Sequence, residues 1–383
     1  ATPSATQVTK TAPRCAARPK RRRISGDAAS PIATPRPTSR STASASAVRG
    51  AAMPARSFPS VRSQISIATD ASAKKPPTSA PRSAIVRGRS VVLGLAMSGF
   101  DYEVAFGRNV GWVTRDEQAA LRTKRVAIAG AGGVGGAHAI TLARLGIERF
   151  SIADPDVFEL ANFNRQTGAT MTTLGRPKAT VMGELVRDIN PGADVRVIDD
   201  AIDANDVGAF LDDADLCIDS LDVFALDARR ALFAACRERK IPAISAAPLG
   251  MSAAQMVFLS TSPSFEDYFR LEGHPREEQL LRFLVGMAPA SLQRFYLVEP
   301  GALALAQERV PSTPVGVALA AGLAAATALK LLLGRGPILA APWGVQFDAY
   351  SNRLRRTWRP GGNANPISRF TIFMARRHLR RTG

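Results

Sequence analysis

Cysteine is scarce in this chain. Cys15, Cys217 and Cys236 are the only three among 383 residues, and none stands in a CxxC pair. That leaves no ligand set for a structural zinc site and no disulfide framework, so no zinc is expected and a reducing, cytoplasmic setting fits. Acidic residues are nearly missing from the first quarter, where residues 1–95 carry 17 Lys and Arg against only Asp27 and Asp70. The same segment is poor in aromatics and rich in Ala, Ser, Thr, Pro and Arg. Such a composition cannot bury enough apolar surface to offset its ordering entropy, so a disordered tail is expected. Arg21-Arg22-Arg23 reads as a solvated basic run, with an anionic surface as the alternative. The Arg- and Ser-rich start also resembles an organelle transit peptide. The chain begins with Ala rather than Met, which fits processing or an over-long gene boundary. Long hydrophobic runs are absent except at 315–333, and there Gly316, Gly322, Thr327 and Lys330 interrupt. A helix packed on a sheet is expected for that run, and no membrane partner.

The charge imbalance belongs mainly to the tail. Residues 96–383 hold 33 basic and 30 acidic side chains, which gives no strong electrostatic case for nucleic acid. What is present in this part is an alternation of helical and strand patterns. Strands are expected at 125–129, 150–153, 195–198, 216–218 and 242–245. Helices are expected at 116–121, 134–145, 178–189, 204–211 and 225–239. The spacing predicts an α/β fold, Rossmann-like and doubly wound, with a mainly parallel sheet and helices on both faces. Residues 260–300 break the rhythm and read as an irregular insertion with a helix near 276–286. A helix at 315–333 and a strand at 344–350 close the domain, giving bounds of 96–358, and residues 359–383 read as a basic C-terminal tail.

The most informative run is Val126-Ala127-Ile128-Ala129-Gly130-Ala131-Gly132-Gly133-Val134-Gly135-Gly136, an apolar strand entering a glycine turn. Glycines allow the backbone to approach a phosphate, and the following helix N-terminus supplies N–H donors. Asp154 ends the next strand, where a carboxylate can accept from ribose hydroxyls. These two features fit NAD, FAD and ATP proteins alike. The chain then enters Asn162-Phe163-Asn164-Arg165-Gln166 and Lys178. Arg165 and Lys178 are two cations that can reach a triphosphate, against the bland alternatives of a surface arginine and a helix-start lysine. Phosphoryl and nucleotidyl transfer need such charges. Asp219-Ser220-Leu221-Asp222 follows the strand at 216–218, and a carboxylate there can hold Mg2+ against a triphosphate. The alternative for Asp219 is a helix cap or turn former.

The ordered set of GxGGxG, DxD, NxxRQ, a downstream lysine and DxxD resembles the ThiF/MoeB family of ubiquitin-activating-enzyme-like adenylyltransferases over roughly residues 105–350. Thr313-Pro314-Val315-Gly316, leading into the alanine-rich helix, resembles the family's closing helix. The resemblance implies ATP and Mg2+, with Gly130, Gly132, Gly133 and Gly135 facing the phosphates and Asp154 on the ribose. It implies Asn162, Arg165 and Lys178 on the phosphates, Gln166 in support, and Asp222 on Mg2+ and the reacting phosphate. Arg108, in Phe106-Gly107-Arg108-Asn109, matches the arginine that reaches the partner's ATP in homodimeric members, so a homodimer is implied. Val223 stands where many members have Asn. The two CxxC pairs of zinc-binding members are missing, and no cysteine follows Cys236 to form a thioester. Cys217 lies in an apolar strand that would make its thiol inert.

The expected activity is adenylation of a carboxylate with release of pyrophosphate. The implied substrate is the C-terminal glycine of a ubiquitin-like sulfur-carrier protein. One alternative is the carboxylate of threonylcarbamoyladenosine in tRNA. Two others leave the class: an NAD-dependent oxidoreductase on the same loop, and a non-catalytic nucleotide-binding module.

Overall fold

The computed structural model describes residues 99–302 and 310–382. The expected tail at 1–95, and Cys15 within it, lie outside the described residues. Eight strands form one sheet in the order β3-β2-β1-β4-β5-β6-β7-β8. They are β1 (Arg125–Ala129), β2 (Arg149–Ala153), β3 (Asp194–Ile198), β4 (Leu216–Asp219), β5 (Ala243–Leu249), β6 (Ser252–Phe258), β7 (Trp343–Asp348) and β8 (Arg353–Trp358). The first five run parallel. The last three add antiparallel pairings. β1 and β4 are buried along their whole length, as apolar strands in the middle of a parallel sheet must be. The strand order reverses between β1 and β4, so the crevice for a ligand opens at their carboxyl ends.

The helices are α1 (Tyr102–Phe106), α2 (Arg115–Thr123), α3 (Gly133–Arg144), α4 (Lys178–Ile189), α5 (Val207–Phe210), α6 (Leu226–Glu238), α7 (Phe265–Phe269), α8 (Arg276–Met287), α9 (Pro314–Leu332) and α10 (Pro366–Thr382). α3, α4 and α9 cover one face of the sheet with Leu142, Met182, Val186, Ala320 and Ala324. α6, α7 and α8 cover the other with Leu232, Phe233, Phe265, Phe269 and Phe283. Phe233 and Phe265 stack there at 4.6 Å between ring centroids. α9 is long and apolar enough to cross a membrane. It packs on α3, β5 and β6, burying Gly316, Val317, Ala320, Ala321, Ala324 and Ala328.

Several elements differ from the sequence expectation. β6 was not expected, because Ser252–Phe258 is buried on both faces and so lacks the alternation that marks a half-buried strand. β8 is an exposed edge strand that was not expected either, because Arg353, Arg355 and Arg356 interrupt any apolar pattern. The expected strand at 242–245 continues to Leu249 and turns at Gly250, whose φ of +62° suits a hairpin. The insertion at 260–300 holds two helices rather than one. The basic segment 359–383 carries α10.

α3 buries His138 completely, and neither ring nitrogen has a partner. Burial in these surroundings holds the imidazole at about 3, against an ordinary 6.5. As pH falls below 6.5 the unfolded chain takes up a proton that the folded chain refuses. Stability is therefore present above 6.5 and is lost progressively toward 3, by at most about 1.4 kcal/mol per pH unit. His138→Leu is expected to show a flatter dependence of urea-unfolding free energy on pH between 4.5 and 7. Parallel slopes for the two proteins would contradict this.

Candidate active site

The glycine loop leaves β1 and starts α3. Gly130 has a φ of +92°, and a Cβ on it would lie 2.3 Å from the carbonyl oxygen of Ser220. A Cβ on Gly135 would lie 1.8 Å from the carbonyl oxygen of Gly130. Both positions therefore require glycine, and the exits of β1 and β4 touch through backbone alone. Ser220 N–H donates to Ala129 O at 2.8 Å, and Gly130 N–H donates to Ala153 O at 2.8 Å.

Asp154 fastens this loop. It is 6% exposed, and its Oδ2 accepts from Ala131 N–H at 2.6 Å. Its Oδ1 accepts from Asp156 N–H at 2.9 Å. Burial raises the carboxyl above the ordinary range, opposed by these two N–H donors and by the Lys178 ammonium. Each oxygen keeps a further lone pair that can accept from a ribose hydroxyl.

Lys178 is the first residue of α4 and is buried. Its N–H donates to Asp156 O at 2.9 Å and its Nζ to Asp156 Oδ2 at 2.7 Å. A lysine at a helix N-terminus works against the macrodipole, so the local balance favours an added anion. Asn162 is buried, and its Oδ1 accepts from Glu159 N–H at 2.9 Å. Its carbonyl accepts from Arg165 N–H at 3.1 Å and Gln166 N–H at 2.9 Å, so it shapes the turn that presents both side chains. Arg165 Nη1 donates to Ala161 O at 3.0 Å and Asn164 Oδ1 at 2.9 Å. Its Cγ is 3.6 Å from where a Cβ on Gly133 would stand, and Gln166 Nε2 is 3.5 Å from that position on Gly132.

A second helix N-terminus joins this group. Asn164 Nδ2 donates to Ser312 O at 3.1 Å, just before α9. Thr313 caps α9 through Gly316 N–H at 3.1 Å and donates to Gly250 O at 2.6 Å. Val317 lies 3.5 Å from where a Cβ on Gly133 would stand. The N-terminal turns of α3 and α9 thus meet, and their partial positive charges add.

At the end of β4, Asp219 is buried and fully engaged. Its Oδ2 accepts from Arg229 Nε at 2.8 Å and Ser245 Oγ at 2.7 Å, and its Oδ1 accepts from Leu221 N–H at 3.2 Å. Asp219 therefore builds the turn and is not a free ligand. Asp222 is exposed, and its Oδ1 accepts from Phe224 N–H at 3.0 Å. Among the described residues no cluster of three His, Cys, Asp or Glu forms a metal cage. One open carboxylate suits Mg2+, which binds largely through substrate phosphates and water.

Arg108 is not brought into this group. It is exposed on a short 3-10 turn, Gly107–Asn109. The adjacent Asn109 donates to the carbonyl of Arg144, the last residue of α3, at 3.1 Å. The loop lies at the first residue of α3, about 17 Å away along the helix axis. Cys217 and Cys236 are both buried, and the contact with the Cys236 thiol together with burial pushes the Cys217 thiol well up. That agrees with an inert thiol.

Three buried polar atoms without a hydrogen-bond partner belong to this edge: Gln166 Oε1, Ser220 Oγ and Arg229 Nη1. Buried polar groups are ordinarily satisfied, so the ring fits a polar ligand such as a nucleotide. Sequence reasoning missed Asp156, Asn164, Ser220 and Arg229. Asp156 had a signal, since it is the second carboxylate of the DxD. The others become visible only once β4, the turn at 162–166 and α9 are brought together.

The chain belongs to the ThiF family, whose profile matches residues 106–367. It resembles the tRNA threonylcarbamoyladenosine dehydratase of Haemophilus influenzae, with 36% identity over 146 residues, covering 38% of this chain and 55% of that protein. It also resembles the molybdopterin-synthase adenylyltransferase of Escherichia coli, with 33% identity over 143 residues, covering 37% and 57%. The chain spans about half the length of the curated relatives it matches. The fold is that of the crystal structure of PaaA, with a TM-score of 0.51 and 17% identity over 71% of this chain and 82% of that one.

Proposed function

We propose that this protein is an ATP-dependent adenylyltransferase that activates a carboxylate. The observation that carries the reading is the gathering of Arg165, Gln166, Lys178 and the Asp222 turn around a glycine loop latched by Asp154. A dehydrogenase needs the loop and the ribose carboxylate but not two cations and an open carboxylate beside them. In the reaction, a substrate carboxylate oxygen attacks the α-phosphorus of ATP. The bond from that phosphorus to the bridging oxygen breaks, and pyrophosphate leaves with the electron pair. An acyl-adenylate remains.

The chain's residues act by position and charge. The backbone N–H groups of the glycine loop and the N-termini of α3 and α9 face the phosphates. Asp154 accepts from the ribose. Lys178 exchanges Asp156 for a phosphate oxygen, and Arg165 exchanges Ala161 O and Asn164 for another, with Gln166 and Asn162 in support. Mg2+, when bound, neutralises the phosphates and stabilises the leaving pyrophosphate. Asp222 would hold it. Arg108, far from its own loop, serves the partner's site in a homodimer.

We infer that the carboxylate is the C-terminal glycine of a ubiquitin-like sulfur-carrier protein. Relatives named molybdopterin-synthase adenylyltransferase and SAMP-activating enzyme E1 support this. A second reading takes threonylcarbamoyladenosine in tRNA as the substrate. Relatives of that name support it, as do the nine Arg and no acidic residue between Ala349 and Gly383. ATP–pyrophosphate exchange against a panel of carrier proteins and threonylcarbamoylated tRNA decides between them. Exchange is expected with a carrier ending in glycine and not with the same carrier truncated by one residue. Exchange with the tRNA alone would replace the first reading by the second. No exchange with any of them would sink both.

A further inference from the structure

The turn that carries Asp222 is pinned on both sides by arginines anchored to the insertion helix α8. On the upstream side, Arg229 Nη2 donates to Leu221 O at 2.6 Å. Its Nε is held by Asp219 Oδ2 at 2.8 Å, and its guanidinium lies 4.5 Å above the ring centroid of Phe283, a buried residue of α8. On the downstream side, Phe224 N–H donates to Asp222 Oδ1 at 3.0 Å, while Phe224 O accepts from Arg276 Nη2. Arg276 is the first residue of α8, and it also pairs with Asp227 at 3.3 Å. Two carbonyls, one just before Asp222 and one two residues after it, therefore each receive a guanidinium fixed by the insertion.

This pattern is more than general packing. Asp222 is exposed, and its carboxylate accepts from the N–H of Phe224, the residue whose carbonyl Arg276 grips. An exposed carboxylate on a free turn would sample many orientations. A metal bound mainly by phosphate and water needs its single protein carboxylate preset. Arg229 and Phe283 form a buried cation–π pair at the base of the turn, and such a pair is sensitive to geometry when desolvated. The insertion is thus mechanically continuous with the metal-side carboxylate, and it reaches no other proposed ligand by bonds of this kind among the described residues.

We propose that Arg229 and Arg276 are positioning residues that set the Asp222 carboxylate for Mg2+, and that α8 is the element that holds them. The inference rests on the adenylyltransferase reading of the site. It assigns the insertion a role in metal presentation, separate from any role in holding the substrate.

The test is a calorimetric titration of the full chain with a non-hydrolysable ATP analogue, with and without Mn2+, alongside the Mg2+ dependence of pyrophosphate exchange. The wild-type chain is expected to bind the analogue at least tenfold more tightly with metal. Arg276→Ala, which changes a half-exposed residue, and Arg229→Lys, which keeps a cation beside Asp219, are each expected to cut that metal increment fivefold or more. Metal-free affinity of Arg276→Ala should stay within twofold, and in both variants the Mg2+ needed for half-maximal exchange should rise by a similar factor. In an Asp222→Asn background neither substitution should reduce the increment further. Arg282→Ala, on the same helix but paired with Glu278, should change nothing. An unchanged increment in both arginine variants, or losses that add to that of Asp222→Asn, would overturn the inference alone. Failure of the wild-type chain to bind the analogue would remove the adenylyltransferase reading and the inference with it.

Discussion

Replacing Asp222 with Asn lowers carboxylate-dependent ATP–pyrophosphate exchange by about a thousandfold, while ATP affinity measured without metal changes by less than about threefold. The asymmetry follows from the structure. Asp222 is exposed and outside the core, and its Oδ1 makes one bond that an amide oxygen also makes, so the fold and the nucleotide cradle survive the change. What is lost is the negative charge on the turn facing the glycine loop. The buried carboxylate beside it cannot take over, because Asp219 is locked to Arg229 and Ser245. Steady-state exchange and a separate binding titration check this. Exchange within tenfold of wild type would remove Asp222 from the chemistry.

The second large effect is steric. Gly135→Ala places a methyl group 1.8 Å from the Gly130 carbonyl oxygen, a backbone atom with no rotamer to yield. The loop must shift against Ser220, which already lies against Gly130. A loss of about 3 kcal/mol in folding stability is expected, as for overpacking in a closed site, with nucleotide affinity down at least a hundredfold. Gly132→Ala is the matched control, since its methyl would meet only the Gln166 side chain at 3.5 Å, an ordinary contact. It should cost less than about 1 kcal/mol. Urea unfolding and nucleotide titration of the two variants separate the outcomes. Equal behaviour would show that the approach of the two backbones does not matter.

The parallel half of the fold was legible because its strands are short apolar runs and its helices carry plain periodicity. Lys178–Ile189 and Arg125–Ala129 fall where the pattern puts them. In the antiparallel half β7 was legible and its neighbours were not, since β6 is buried on both faces and β8 is a charged edge. The candidate site was legible as an ordered set of motifs. Its geometry was not, because a motif does not say which side chains are spent on the protein itself. Asp219 and Asp222 have the same spacing rights in DxxD, yet Arg229 and Ser245 engage one and leave the other open. Lys178 and Asp156 are 22 residues apart, and their pairing follows from the path of the loop between β2 and α4. Ser220 and Arg229 carried no signal of their own. They stand out only because their buried atoms, like Gln166 Oε1, lack partners at an edge where Asp154, Asn162 and Asp219 are satisfied.

The central claim is that this glycine loop holds a triphosphate that is split between its α and β phosphates. The most direct measurement follows [α-32P]ATP and [γ-32P]ATP in parallel reactions with the carboxylate substrate and Mg2+. The account predicts AMP and pyrophosphate in equal amounts, dependent on the carboxylate. Release of ADP and phosphate, or no ATP turnover together with saturable binding of NAD, would contradict it.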